Sequence, residues 1–275
     1  MSRKIAFIGV GNMAGAILNG ITSGDNCLVP LSDVILYDRD AVKLEKYASN
    51  GASIAGSLEN AVSLADCVFL CVKPQNFLEI LPLISNVPAV DKKLFVTIAA
   101  GISIDKISEA TGAPVVRVMP NTPMLIGSGV SAICRSEKVS DTDFDFVSEV
   151  FSSAGKVIRI QEGEMNRIIS VTGSSPAYVF MMIKAMYEGA VQQGLLDGAL
   201  SEKDIIDSIC DVLIGSATLM KLGGKTPDEQ IKTVCSKGGT TERAVAELER
   251  YDFYKAFADA MLKCTERADE LGSGK

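Results

Sequence analysis

Near the amino terminus, Gly9-x-Gly11-x-x-Ala14 has the spacing that lets a backbone turn tightly against the phosphates of a dinucleotide. The first glycine makes the turn and the second removes a side chain where a pyrophosphate would lie. The small third residue lets a helix close on the preceding strand. Ile8, Val10, Asn12 and Met13 complete the loop. Roughly 20 residues on, Asp38 ends a second apolar run, where a carboxylate accepts hydrogen bonds from an adenosine ribose and favours NAD(H). Arg39 follows at once, and a guanidinium there stacks on adenine or neutralises a 2′-phosphate, which favours NADP(H). The two residues pull cofactor choice in opposite directions. The plainer reading of Asp38 is an acid that leads the next helix.

Three later segments close apolar runs with residues suited to a ligand. Val72-Lys73-Pro74 places a cation at a strand end, Ile98-Ala99-Ala100 offers small residues that admit a close approach, and Asn121 is a polar handle between Pro120 and Pro123. Each also reads as an ordinary turn. In the second half, Ser236-Lys237-Gly238-Gly239-Thr240-Thr241 precedes a helical run. Backbone amides at such a helix start can hold a carboxylate without a cationic side chain, and the simpler alternative is a threonine N-cap.

Elements must position these residues. Apolar runs at Lys4 to Val10, Asp33 to Tyr37, Ala52 to Ile54, Cys67 to Val72, Leu94 to Ile98, Val115 to Met119, Gly129 to Cys134 and Lys156 to Ile160 read as strands. Helical segments separate the early ones, so the expected fold is α/β, a Rossmann-type doubly wound sheet of parallel βαβ units over residues 1–161. From Glu162 the apolar spacing becomes three and four, and residues 162–275 are expected to be all-helical. Helices are expected over Glu164 to Gln193, interrupted near Gly173 to Pro176, over Ser201 to Leu222, and over Thr240 to Leu271 with breaks. Ser201 and Asp204 resemble a capping box, and the tail from Gly272 to Lys275 reads as disordered. About 115 helical residues cannot cover faces that are apolar on more than one side, so a second copy of the chain is expected against them.

Composition narrows the function classes. The chain of 275 residues is 47% hydrophobic and 22% charged, as a soluble globular protein is. A net charge of −7, with no basic run, argues against a nucleic-acid partner. The absence of histidine removes any histidine triad, base or metal ligand, and no metal site is expected. Seven cysteines without C-x-x-C spacing read as buried reduced thiols. The amino terminus lacks a signal-peptide pattern, and the uncharged stretch from Ile168 to Ile183 is shorter than the ~20 residues of a membrane span. A cytoplasmic protein with a buried helix there, and no membrane partner, is the expectation.

Taken in order, IGVGNMAGAIL, CVKPQ, TIAAGI, VRVMPNTP, GSSPAYVF and CSKGGTTERAV resemble the pyrroline-5-carboxylate reductase family over essentially the whole chain. The resemblance implies NADPH- or NADH-dependent reduction of the cyclic imine 1-pyrroline-5-carboxylate to L-proline, and a helical half that interlocks as a homodimer or larger homo-oligomer. It also implies cofactor contacts from Ile8 through Met13, Val72, Lys73, Pro74, Ile98, Ala99 and Ala100. Substrate contacts are implied for Ser236, Gly239, Thr240 and Thr241, with the Thr241 hydroxyl serving the imine nitrogen as the catalytic group. Three departures stand out: Thr172-Gly173-Ser174-Ser175 replaces the usual Ser-Gly-Ser-Gly, Lys237 replaces a proline, and Leu58 replaces an asparagine. Two rival readings are a β-hydroxyacid dehydrogenase-type reductase, whose helical-half lysine would be Lys184, and a nucleotide-sensing relative without catalysis.

Overall fold

In the computed structural model, residues 3–22 and 27–273 are described. Met1 and Ser2, from which the reading of the amino terminus began, and Gly274 and Lys275 of the expected tail lie outside them. Two compact units divide the chain: residues 1–176 with 263–275, and residues 177–262.

The first unit holds one sheet. Its strands are β1 (Ile5–Ile8), β2 (Val34–Tyr37), β3 (Ser53–Ile54), β4 (Cys67–Leu70), β5 (Leu94–Thr97), β6 (Val115–Met119), β7 (Gly129–Arg135) and β8 (Gly155–Arg159), in the spatial order 3-2-1-4-5-6-7-8. Helices α1 (Asn12–Thr22), α2 (Val42–Ala48), α3 (Leu58–Leu64), α4 (Phe77–Ser85), α5 (Ile104–Thr111) and α6 (Asp141–Ser152) supply the crossovers. Every residue of β1, β4 and β5 is buried, which is why these strands read as unbroken apolar runs: both faces of the sheet are covered. Ala6, Ile8, Val68, Leu70 and Phe95 face one apolar layer, while Ile5, Phe7, Cys67, Phe69 and Val96 face the other. Phe7 and Phe69, opposite each other in the β1–β4 register, stack with ring centroids 4.7 Å apart.

The early strands pair in parallel, as expected, and the sheet turns antiparallel at one place. β7 runs antiparallel to β6, and β8 is parallel to β7. A parallel link needs a crossover of a dozen or more residues, whereas Met119 is joined to Gly129 by a short connection built on a 3₁₀ turn at Thr122–Ile126.

Helix α7 (Met165–Ile168) runs through a π-helical segment, Ile169–Gly173, into α8 (Ser175–Gln192). The expected interruption near Gly173 to Pro176 is therefore a wide turn, closed by the Ser174 amide donating to the Ile169 carbonyl at 2.8 Å, and not a break. Residues 162–192 form a 31-residue helix that is long and apolar enough to cross a membrane by length and composition. The sequence reading expected an interrupted helix over Glu164 to Gln193, buried along its uncharged stretch from Ile168 to Ile183. In the single chain α8 has no buried residue, and Phe180 and Met181 are 63% and 70% exposed.

The remaining helices are α9 (Glu202–Gly223), α10 (Pro227–Val234), α11 (Thr240–Arg250) and α12 (Phe253–Ser273). The box of Ser201 and Asp204 starts α9, and Thr226 with Glu229 forms a second box at α10, a helix the sequence reading missed. Asp252, at φ 54°, separates α11 from α12. Gly272 and Ser273, expected in a disordered tail, end α12 as helix. The carboxyl end of α12 packs within the first unit: Ala268 is buried, Asn166 Nδ2 donates to Asp269 Oδ1 at 2.7 Å, and Arg117 donates to Asn166 Oδ1 at 2.6 Å.

Only Cys67 and Cys134 are buried, Cys27 is exposed, and the other cysteines are half-buried, so the uniform burial expected of them does not hold. Apolar neighbours in sequence do not guarantee depth at a strand end or on a helix flank.

Candidate active site

The strand order reverses at β1, which lies between β2 and β4, and a cleft of about 990 Å³ opens at the carboxyl ends of these three strands. Ile8, Gly9 and Gly11 form its floor, and Asn12 and Met13 bring the first turn of α1 to it. Orphan amides at such a helix start favour an anion. Tyr37, Asp38, Arg39 and Lys43 form the wall after β2; Cys71, Val72 and Lys73 form the wall after β4, backed by Asn76, Glu79 and Ile80. Leu58 and Glu59, at the start of α3, close the remaining side.

The glycines separate by physical role. Gly9 has φ +89°, and a Cβ on it would lie 2.9 Å from Val72 Cγ1 and 3.1 Å from the Cys71 carbonyl, so the fold itself requires glycine there. A Cβ on Gly11 would meet no protein atom within 4 Å. Packing does not explain Gly11, whereas a ligand lying against its backbone does. Together with the helix start, this open floor fits a dinucleotide pyrophosphate.

Asp38 holds the loop as well as lining the cleft. One carboxylate oxygen accepts the Val10 amide at 2.7 Å, and the other accepts the Asp40 amide at 2.9 Å with Lys43 Nζ at 3.5 Å. Burial alone would push this carboxyl up, but the Val10 and Asp40 amides and the Lys43 ammonium outweigh it and hold it below the usual carboxylate range. The helix-leading acid is Asp40, whose side chain accepts the Val42 amide at 3.2 Å. Cys71 also faces the cleft, and burial pushes its thiol far up, so it stays neutral.

Several residues expected to contact the cofactor are not part of this cleft's lining. Val10 is 5% exposed and lines a smaller neighbouring pocket with Gly11 and Asn12, and Pro74 begins the 3₁₀ turn after Lys73. Ile98, Ala99 and Ala100 do not line the cleft; their segment ends at Gly101, where a Cβ would strike the Ala268 carbonyl at 2.8 Å and Leu271 Cβ at 2.8 Å. The small residues there admit the end of α12. Asn121 is likewise absent from the cleft and committed internally, its Nδ2 donating to the Thr172 carbonyl at 3.0 Å and its Oδ1 accepting the Val130 amide at 2.8 Å. Tyr37, Lys43, Glu59, Asn76 and Glu79 line the cleft without having been singled out in the sequence. A second cleft of about 690 Å³ beside β7 and β8 contains Arg135 and Arg159, but each is paired, with Asp141 at 2.7 Å and Asp145 at 2.6 Å.

In the second unit, Gly239 is the N-cap of α11, and Thr240 and Thr241 occupy the first turn, so neither threonine is the cap. Gly238 has φ +74° and donates its amide to Glu242 Oε2 at 2.6 Å. A Cβ on Gly239 would fall 2.9 Å from the Ser236 carbonyl oxygen, whose acceptance of the Gly239 amide at 2.9 Å closes the turn. With Gly238 and Gly239 engaged in this way and no capping side chain on Gly239, the first-turn amides of Thr240 and Thr241 are the ones left to a carboxylate. Ser175 is accommodated as the first residue of α8, its hydroxyl 3.4 Å from the Thr172 carbonyl. Lys184 lies on the helix surface with Glu188 at 3.6 Å.

Fold and cleft together define an oxidoreductase of the Rossmann class with an appended helical region. A family model for pyrroline-5-carboxylate reductase dimerisation matches residues 162–271, and one described as NADP oxidoreductase, coenzyme F420-dependent, matches residues 4–101. The pyrroline-5-carboxylate reductase of Escherichia coli K12 is 34% identical over 98% of this chain and 99% of its own, and that of Corynebacterium melassecola is 35% identical over 98% of each. Among solved structures, pyrroline carboxylate reductase of Plasmodium falciparum with NADP bound superposes with a TM-score of 0.87 at 25% identity, covering 98% of both chains. The Streptococcus pyogenes enzyme gives 0.87 at 27% identity over 98% and 99%. The chain belongs to the pyrroline-5-carboxylate reductase family.

Proposed function

We propose that this chain reduces 1-pyrroline-5-carboxylate to L-proline with NADPH, and with NADH as an alternative, as a cytoplasmic homodimer or larger homo-oligomer. The observation that carries the reading is the pairing of the open-floored cleft at Gly11 with family identity along nearly the whole chain. When bound, the nicotinamide supplies the hydride that adds to the imine carbon. The chain's own task is to bind, orient and protonate. Gly11, the start of α1 and Lys73 hold the dinucleotide; Ser236 and the first-turn amides of Thr240 and Thr241, left uncapped by Gly239, hold the substrate carboxylate.

Electron density moves onto the ring nitrogen as the imine is reduced, and that nitrogen needs a proton or a hydrogen-bond donor. The chain has no histidine, and the Thr241 hydroxyl takes this role. A threonine hydroxyl is a poor free acid. It orients and stabilises the nitrogen, while the substrate enters as the iminium or a water delivers the proton.

The exposed apolar side chains of the helical region support association. Val212, Ile214 and Leu222 are exposed in the single chain along with Phe180 and Met181, and the matched family model is one of dimerisation. Loss of one donor that acts mainly in the transition state costs ~3–4 kcal/mol. Thr241→Val is expected to lower kcat at least tenfold and leave NADPH affinity nearly unchanged. A folded Thr241→Val protein with normal kcat would remove the threonine from the chemistry. Turnover of a 3-hydroxy acid in place of the imine would favour the β-hydroxyacid dehydrogenase reading.

A further inference from the structure

The cleft mouth beside the end of β2 carries two cations, and they are not equivalent. Lys43 Nζ is shared by two carboxylates of its own segment, Asp38 at 3.5 Å and Asp40 at 3.7 Å. Asp38 is fixed in turn by the Val10 amide, so Lys43 cannot leave without exposing a carboxylate that the glycine-rich loop needs. Arg39 is different. Its Nη1 meets Glu79 Oε2 at 3.2 Å, and Glu79 comes from the opposite wall, on α4. Both side chains are about two-thirds exposed, at 67% and 68%, and both line the cleft.

An ion pair this exposed is weak, and a doubly charged phosphate is a stronger partner for a guanidinium than one carboxylate. A phosphate at the adenosine end that engages Arg39 must share the guanidinium with Glu79 or displace it, and in either case Glu79 remains beside it as a like charge. We infer that Glu79 is a specificity-determining residue that lowers the preference for the 2′-phosphorylated cofactor by competing for Arg39. This rests on the cleft being the dinucleotide site. It does not involve the nicotinamide end, so binding of adenosine-end fragments tests it without turnover.

The experiment is calorimetric titration of the full-length protein with ADP-ribose and with 2′-phospho-ADP-ribose, for wild type, Glu79→Gln, Arg39→Gln and the double variant. Glu79→Gln is expected to tighten 2′-phospho-ADP-ribose about three- to tenfold and to leave ADP-ribose within about twofold. Raising the salt concentration should shrink the gain, because both charges are exposed. Arg39→Gln should weaken only the phosphorylated ligand, and in that background Glu79→Gln should have little effect. Equal shifts for both ligands, no shift at all, or a gain that persists undiminished without Arg39 would overturn the inference. Failure of wild type to bind either fragment would instead overturn the assignment of the cleft, and the inference with it.

Discussion

The two fingerprint glycines provide a test in which stability and binding should separate. Gly9→Ala places a methyl group at φ +89°, 2.9 Å from Val72 Cγ1 and 3.1 Å from the Cys71 carbonyl carbon and oxygen. A left-handed backbone costs an L-residue about 1–2 kcal/mol. Overpacking against backbone that cannot swing away adds about 1–3 kcal/mol, so the expected loss is about 2–5 kcal/mol, a large share of the ~5–15 kcal/mol that holds a typical protein folded. Gly11→Ala meets no protein atom within 4 Å, and its stability should move by less than about 1 kcal/mol. Its methyl group nevertheless occupies the floor proposed to receive the pyrophosphate, and ADP-ribose affinity should fall at least about tenfold, or ~1.4 kcal/mol. Urea unfolding without nucleotide, at one protomer concentration, measures the first quantity, and calorimetry the second. A Gly11→Ala protein as unstable as Gly9→Ala would show that Gly11 serves packing. Normal ADP-ribose binding by Gly11→Ala would remove the pyrophosphate from this loop.

Because the Asp38 carboxyl is held below its unfolded value of about 3.9, its stabilising contribution is fully present above that pH and is lost as pH falls through the lower folded value. Asp38→Asn should therefore lower stability at neutral pH and flatten the acid limb of a stability–pH profile below about pH 4, as followed by denaturant midpoints. Phe180→Glu sets a charge on a face that is 63% exposed in the single chain. Light scattering should show a shift toward monomer with loss of turnover, and an active, fully associated Phe180→Glu protein would place the interface elsewhere.

Much of this architecture is legible in the residues, for physical reasons. β1, β4 and β5 are buried on both faces, so their runs are apolar without alternation, and the glycine loop after β1 marks the switch point. The direction of β7 is not legible from its own residues, because an apolar run reads alike in either orientation; the short link after Met119 decides it. Helix α10 is only 8 residues long and largely exposed, so its apolar signal is faint even though Thr226 and Glu229 mark its start.

The presence of Ile8, Gly9, Gly11, Asn12, Met13 and Asp38 at the cleft follows from spacing. That of Glu79 does not, since an acid on the outer face of a helix looks like any solvated charge until the cleft places it opposite Arg39. Asn121 and the Ile98 to Ala100 segment are ambiguous for the converse reason: residues able to meet a ligand are equally able to satisfy a buried amide or admit a neighbouring helix. The exposure of α8 in the single chain fits the expectation that helices apolar on more than one side pack against a second copy, whereas composition alone does not separate such a face from one buried within its own chain.

The central claim is hydride addition to the carbon of a cyclic imine, and isotope transfer tests it most directly. Wild-type protein is incubated with 1-pyrroline-5-carboxylate and NADPH deuterated at the transferring position, and the product is examined by chiral chromatography and mass spectrometry. The account predicts L-proline carrying a single deuterium on the former imine carbon, at a rate that Thr241→Val lowers at least tenfold. Tight binding of the deuterated cofactor with no labelled proline formed would contradict it.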